Sequence, residues 1–363
     1  MDVNLCPECG APEHITAQHL WLDNGDIIVK NKPENRIVFI ESENFEPLFQ
    51  NMARIIGAPI EHLVVSASRR AYRSYFLAFV TDDIKKKIQN KEVHYTLISD
   101  VFRDMGGLMG QGLYEDIDSR YEQDADDYDI DLIKEPYYLL FNVGGQAAAI
   151  EALTDRDQDV TYEEVAPNEY RSKVFPAPHA EGLRERLQFV DYRHQPGDVE
   201  LERCTACGGP KALSSYQWLP NRGVIFNRFT RRRMAFLGPQ MLDPVFDELE
   251  AELGETIPSV AVEAQRLFTR SGFYSLGEVS GEGDFRTQLA LRGLGNLKEI
   301  DLTRKGVRMI IDNAVLPLLV VGMMQGVFEM AVNVESSVDW ELSDAGQLQV
   351  EISPQDAHEK VRL

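Results

Sequence analysis

The sequence predicts an α+β protein built from two tandem copies of one unit, each opened by a small cysteine-bearing β-ribbon. Three observations predict it. The four cysteines come as two like pairs, CPECGAP with Cys6 and Cys9 and CTACGGP with Cys204 and Cys207. The residues that follow each pair also recur. Trp21 returns as Trp218, Arg36 as Arg233, Phe39 as Phe236, Pro47 and Phe49 as Pro244 and Phe246, all at an offset of 197, against 198 for the cysteines. Val65, Ala67, Arg69, Arg73 and Phe76 return as Val262, Ala264, Arg266, Arg270 and Phe273. Third, the hydrophobic period changes in the same order in both copies, from alternation to helical spacing and back. Chance does not hold one offset over so long a stretch, and a duplication places equivalent residues around an approximate two-fold axis.

Each unit opens on its cysteine knuckle. Short alternating segments follow, Ile15–Trp21, Ile27–Lys30 and Arg36–Ile40, with twins Leu213–Leu219, Val224–Asn227 and Arg233–Leu237. Asn24-Gly25 and Asn221-Arg222-Gly223 are turn signals between them. A helix is expected over Glu43–Ile56, where Phe45, Leu48, Phe49, Met52 and Ile55 share a face and Gly57-Ala58-Pro59 stops it. Its twin is Gln240–Leu253. A longer helix follows, Ile60–Phe79 and Ile257–Leu276. The first copy then carries an extra helix around Leu97–Met109, because the offset drops there from 197 to 183. A hairpin comes next, Gly295–Leu302 with Gly306–Asp312 in the second copy; in the first its turn is swollen by the acidic loop Tyr121–Asp127. The helices Tyr137–Leu153 and Val315–Val332 are apolar nearly all round and should be buried. Each unit closes on a second hairpin, Asp159–Val165 with Tyr170–Phe175 and Ser337–Ser343 with Gln347–Ile352. Pro176–Glu202 reads as a linker with one short helix. The expected domains are 1–176 and 204–363, joined by 177–203.

Length and charge bound the function. At 363 residues each half can bury its own core. With 37 basic against 59 acidic residues the net charge is −22, which argues against nucleic acid and anionic membrane partners. The longest apolar run, Ala314–Val321, is too short to span a bilayer. With no secretory leader read at the N-terminus, the C-x-x-C pairs point to metal or redox chemistry in the cytoplasm and not to secreted disulfides.

C-x-x-C followed by glycine is the knuckle of zinc ribbons: the turn aims two thiolates at one ion and leaves backbone N–H groups to hydrogen-bond sulfur. Structural zinc takes four ligands. The first copy could recruit His14 or His19, but the second has no histidine between Cys207 and His358. Symmetry therefore favours one shared structural zinc bound by Cys6, Cys9, Cys204 and Cys207, with an iron–sulfur cluster or a redox dithiol as alternatives.

The remaining candidates concern a ligand. Arg69, Arg70 and Arg73, interleaved with Tyr72 and Tyr75, could hold an anionic or aromatic molecule through hydrogen bonds and stacking, and Arg266 and Arg270 are the twins of Arg69 and Arg73. A half-exposed helix neutralising acidic neighbours is the plainer explanation. Phe141, Gly144 and Gly145, with Gly322 opposite, interrupt or line the apolar helices, where small residues permit close packing or a pocket. His62 is read as structural. No G-x-S-x-G, H-E-x-x-H, P-loop or dinucleotide fingerprint is present, and no nucleophile–base pair is visible.

Both copies resemble the 4-vinyl reductase domain family on these residues: Arg36-Ile37-Val38-Phe39-Ile40 before a helix ending in Ile56-Gly57; Arg233-Met234-Ala235-Phe236-Leu237 before one ending in Leu253-Gly254; the core Gly293-Leu294-Gly295-Asn296-Leu297-Lys298-Glu299-Ile300-Asp301-Leu302; and Gly322-Met323-Met324-Gln325-Gly326. That family shares its α/β fold with transport-particle subunits and haem-based nitric-oxide sensors. The resemblance implies a protein that binds a small hydrophobic or aromatic molecule in a pocket between the apolar helix and the sheet. It also leaves open a subunit of a reductase or other multi-subunit enzyme, which would draw electrons from a partner subunit, and a scaffold that assembles other proteins. Family members of the aromatic-sensing kind carry metal ligands in the closing hairpin; Tyr170–Phe175 and Gln347–Ile352 hold none, so the cysteine site is this chain's own.

Overall fold

Short runs of alternating apolar residues behind each knuckle cannot bury both faces alone, and in the computed structural model, which describes residues 3–179, 192, 194–274 and 281–355, they are joined into one sheet. The first half runs α1 (Glu13–Gln18), β1 (His19–Trp21), β2 (Ile27–Val29), β3 (Lys32–Glu41), α2 (Phe45–Ile56), α3 (Glu61–Leu77), α4 (Asp82–Gln89), α5 (Thr96–Leu108), β4 (Leu113–Arg120), β5 (Tyr128–Lys134), α6 (Leu139–Thr154), β6 (Gln158–Ala166) and β7 (Glu169–Pro176). The second runs β8 (Tyr216–Leu219), β9 (Val224–Asn227), β10 (Arg233–Leu237), α7 (Asp243–Leu253), α8 (Ile257–Phe268), α9 (Glu282–Leu291), β11 (Asn296–Thr303), β12 (Gly306–Asp312), α10 (Pro317–Val332), β13 (Ser336–Leu342) and β14 (Leu348–Pro354). The architecture is α+β.

The central sheet is six-stranded, ordered β1-β2-β3-β10-β9-β8, so its middle pair comes from opposite halves. β3 and β10 run antiparallel in a register that puts Phe39 opposite Phe236 and Ile40 opposite Ala235. Each half also has its own four-stranded sheet, β4-β5-β7-β6 and β11-β12-β14-β13, with the same order of first hairpin and closing hairpin. The apolar helix of each half packs on its long helix, α6 on α3 and α10 on α8. The halves are also joined through their helices, α2 against α8 and α3 against α7. The largest apolar core accordingly draws residues from both.

Residues at equivalent sequence positions meet each other. The Phe39 and Phe236 rings stack at 4.1 Å between centroids, and Phe49 stacks on Phe246 at 5.9 Å. Their neighbours pair crosswise: Trp21 sits edge-on to Phe236, while Trp218 stacks on Phe39. The exchange extends to the backbone. Phe39 N–H donates to Arg292 O at 2.9 Å and Phe236 N–H to Met109 O at 2.8 Å. Gly110 and Gly293 follow these carbonyls with φ of +80° and +72°, and a side chain on either would strike the other half's strand, at Met234 O or Ile37 O.

Three expectations are corrected. Ile15–Gln18 is helical, because Pro12 and Glu13 start a turn that ends only at His19; its twin Lys211–Ser215 is a 3-10 turn. The helix expected as an insertion, Thr96–Leu108, has its counterpart in α9, and the added residues instead build α4 and the approach to α5. Their Val80, Ile88 and Tyr95 make a satellite core with Leu153 and Val174. The long second helix stops at Phe268 in a π-turn broken by Gly272 at φ +92°. The short linker helix expected within 177–203 falls largely outside the described residues. The linker's described residues dock firmly: Val199 N–H donates to Asp23 O at 2.7 Å, and His194 Nδ1 lies 2.6 Å from the buried Asp26 carboxylate.

Candidate metal centre

The two knuckles fold alike. Cys6 N–H donates to Ala11 O and Gly10 N–H to Cys6 O; Cys204 N–H donates to Gly209 O and Gly208 N–H to Cys204 O. Gly10 and Gly208 hold φ of +71° and +73°, the left-handed turn that brings the chain back under its own first cysteine. The strands that follow the two knuckles, β1 and β8, form opposite edges of the central sheet, yet the two knuckles come together.

There the four cysteines converge. Cys6 Sγ lies 3.6 Å from Cys204 Sγ, and Cys9 Sγ 3.6 Å from Cys207 Sγ. All four sulfurs lie within 4.8 Å of one another. A disulfide needs sulfurs about 2 Å apart, so none of these is bonded. Four thiolates around one tetrahedral ion with Zn–S near 2.3 Å sit about 3.8 Å from each other, close to the spacing seen. The donor set therefore fits a metal ion. Cys6, Cys9 and Cys204 are buried, and Cys207 is partly exposed.

Burial opposes ionisation of Cys6, yet hydrogen bonds from the backbone N–H groups of Cys9 and Glu8, and from the Cys204 and Cys9 side chains, outweigh it and hold its thiol at about 7. Burial pushes Cys9 up. Four like-charged sulfurs cannot all ionise at this spacing unless a cation sits among them. Glu8 had no signal in the sequence beyond standing between two cysteines. Its carboxylate accepts from Thr205 Oγ1 at 2.6 Å and lies 3.3 Å from Cys204 Sγ, so the first knuckle also meets the second directly. His19 is not near the sulfurs; its Nδ1 is 2.9 Å from Ile15 O and its ring stacks on Phe236.

The ligand candidates lie elsewhere, along α3 with α6 and α8 with α10. Arg69 and Arg73 flank the buried Glu151 of α6, each with Nε 3.7 Å from its carboxylate. Arg266 and Arg270 flank Glu329 of α10 at 2.6 and 3.1 Å. In both halves the same glutamate also caps the following strand, accepting from Gln158 N–H at 3.0 Å or from Ser336 N–H at 2.7 Å. Arg69 further donates to Gln158 O at 2.7 Å and meets His179 Nδ1 at 2.9 Å. Burial lowers its pKa, against the pull of Glu151. Arg70 pairs with Glu248 of α7. Sequence reading missed Glu151 and Glu329, although an acid at the same place in two apolar helices was a usable signal.

The small residues mark close helix packing. A side chain on Gly144 would meet Ser68 Oγ and Val65 O, one on Gly145 would meet the Tyr72 ring, and one on Gly322 would strike Val262 O. Tyr72 hydrogen-bonds Tyr137 through their hydroxyls, and burial pushes its pKa up. Phe141 is buried among Phe45, Phe49, Tyr137 and Tyr138. Between α2 and the start of α6, then, aromatic side chains pack against one another and fill the space.

No helix among the described residues is long and apolar enough to cross a membrane. No family model and no curated protein matches the chain. Two solved structures do align with part of it. One is a mutant of the T. tengcongensis H-NOX, 13% identical, covering 33% of this chain and 75% of that one with a TM-score of 0.23. The other is a Cs H-NOX mutant carrying the unnatural amino acid 4-cyano-L-phenylalanine, also 13% identical, covering 38% and 81% with a TM-score of 0.23. At that score the overlap assigns neither a ligand nor an activity to this chain.

Proposed function

We propose that the chain is two copies of one vinyl-reductase-type unit, residues 1–176 and 204–363 joined by 177–203, held by one structural zinc and serving to bind a small hydrophobic or aromatic molecule. The convergence of four free cysteines from opposite halves carries the reading of the metal. Four protein thiolates leave no open coordination position, so the ion is structural and not catalytic. Its work is to fasten the two knuckles and hence the strands behind them. Four cysteines kept as thiols suit a reducing compartment such as the cytoplasm.

Self-pairing of Cys6 with Cys204, Phe39 with Phe236 and Phe49 with Phe246 supports descent from one repeated unit. Elemental analysis of protein purified without chelator is the direct test. One zinc per chain is expected. Iron, or no metal at all, would overturn the reading.

A further inference from the structure

Resting on the small-molecule reading above, we propose that the cleft between α10 and the end of β3 is a binding site for a small uncharged molecule bearing a carboxamide or lactam edge on an apolar body. The cleft opens to solvent on one side, and its enclosed part is about 30 Å³. That is room for a head group of a few atoms, not for a whole ring. Its apolar wall is Leu319, Val320 and Met323 of α10.

The polar side chains in the lining set the chemistry. Asn44 and Gln265 are 4% and 1% exposed, and Asn44 Oδ1 and Gln265 Oε1 have no hydrogen-bond partner among the described residues. Arg292 Nε is likewise buried without a partner there. Buried polar atoms are almost always paired, and each left unpaired costs the protein stability. These two acceptors and one N–H donor belong to residues that line one cleft, and together they match a ligand edge with N–H donors and a carbonyl acceptor. The charge of Arg292 is already answered: its Nη1 and Nη2 lie 2.8 and 2.6 Å from the two Glu41 oxygens. A neutral ligand therefore fits better than an anion.

The site draws on both halves, with Glu41 and Asn44 from the first and Gln265, Arg292 and α10 from the second, and the matching positions do not repeat it. At the matching positions Asn44 is replaced by Met241, Gln265 by Ser68, Arg292 by Met109, and Leu319 by Phe141. The polar edge is gone there, and Phe141 packs with Tyr138 into the space.

Thermal unfolding of the full chain with benzamide, benzoate and toluene tests this. Benzamide is expected to raise the midpoint and benzoate to leave it unchanged. Gln265→Leu should weaken benzamide about tenfold, and Met323→Trp, which fills the cleft, should abolish the shift. If toluene alone stabilises the protein, and Met323→Trp removes that shift while Gln265→Leu does not, the amide class is overturned and the broader small-molecule reading survives. If benzamide stabilises all three proteins alike, it binds elsewhere and this cleft is overturned as the site. If no probe shifts wild type, although both variants unfold as cooperatively as it does, the cleft is not a ligand site and the small-molecule reading loses its pocket.

Discussion

Trp21 and Trp218 occupy equivalent places, but their indoles differ. Trp21 Nε1 donates to Leu291 O at 3.0 Å, whereas Trp218 Nε1 is buried with no partner among the described residues. Trp21→Phe should therefore cost about 1–2 kcal/mol more than Trp218→Phe, read from urea midpoints. Glu329 anchors two arginines and a strand end. Glu329→Gln leaves those cations without their buried counter-charge and should destabilise by about 3 kcal/mol, checked by the same measurement. Asp131 of β5 presents a pH effect. Burial, with the nearby Asp129 carboxylate, pushes it up to about 8, against the pull of Arg103. Unfolded, it ionises near its ordinary 3.8. Between those values the folded state binds more protons than the unfolded, so this group makes stability fall as pH rises. Asp131→Asn should flatten the decline between about pH 5 and 8, followed by denaturation across that range. The cysteines were legible because repeated spacing is visible in one dimension. Asp131 was not: its twin is Met309, and in the alternating strand Tyr128–Lys134 nothing local marks Asp129 and Asp131 as facing inward.

The elements themselves were readable where period and stop signals agree, as in α2, α6 and α10, since an amphipathic or fully apolar helix declares itself by spacing. Pairing between β3 and β10 was not readable, because nothing in a strand's own residues names a partner so far along the chain. The insertion was assigned to the wrong helix for a related reason: an offset locates added length only between its last and first matching residues. Close packing of α6 and α10 leads to a graded expectation. A methyl on Gly322 meets a backbone oxygen, Val262 O, which cannot turn aside, while on Gly144 it first meets the rotatable Ser68 hydroxyl. Gly322→Ala should thus destabilise by about 1–3 kcal/mol, and Gly144→Ala by less, measured by chemical denaturation.

For the molecule as a whole, the metal proposed above would act as a cross-link between residues 198 positions apart. Treated by chain entropy, closing so long a loop restricts the unfolded ensemble by about 5 kcal/mol. Chelation under reducing conditions, or Cys6→Ser with Cys204→Ser, should lower the unfolding midpoint by roughly ten degrees or more if the domain scaling of about 2–4 °C per kcal/mol holds. Calorimetry with and without chelator checks this. The crosswise contacts have a consequence for ancestry. Each half completes the hydrogen bonding of its central strand, β3 or β10, with a carbonyl of the other, and the Phe39 and Phe236 rings cover each other. If the two halves descend from one repeated unit, as proposed above, that unit alone would have left these groups uncovered, and a symmetric homodimer is the form that covers them. Splitting today's gene between residues 179 and 192 should accordingly yield two polypeptides that are insoluble apart and reassemble when co-expressed.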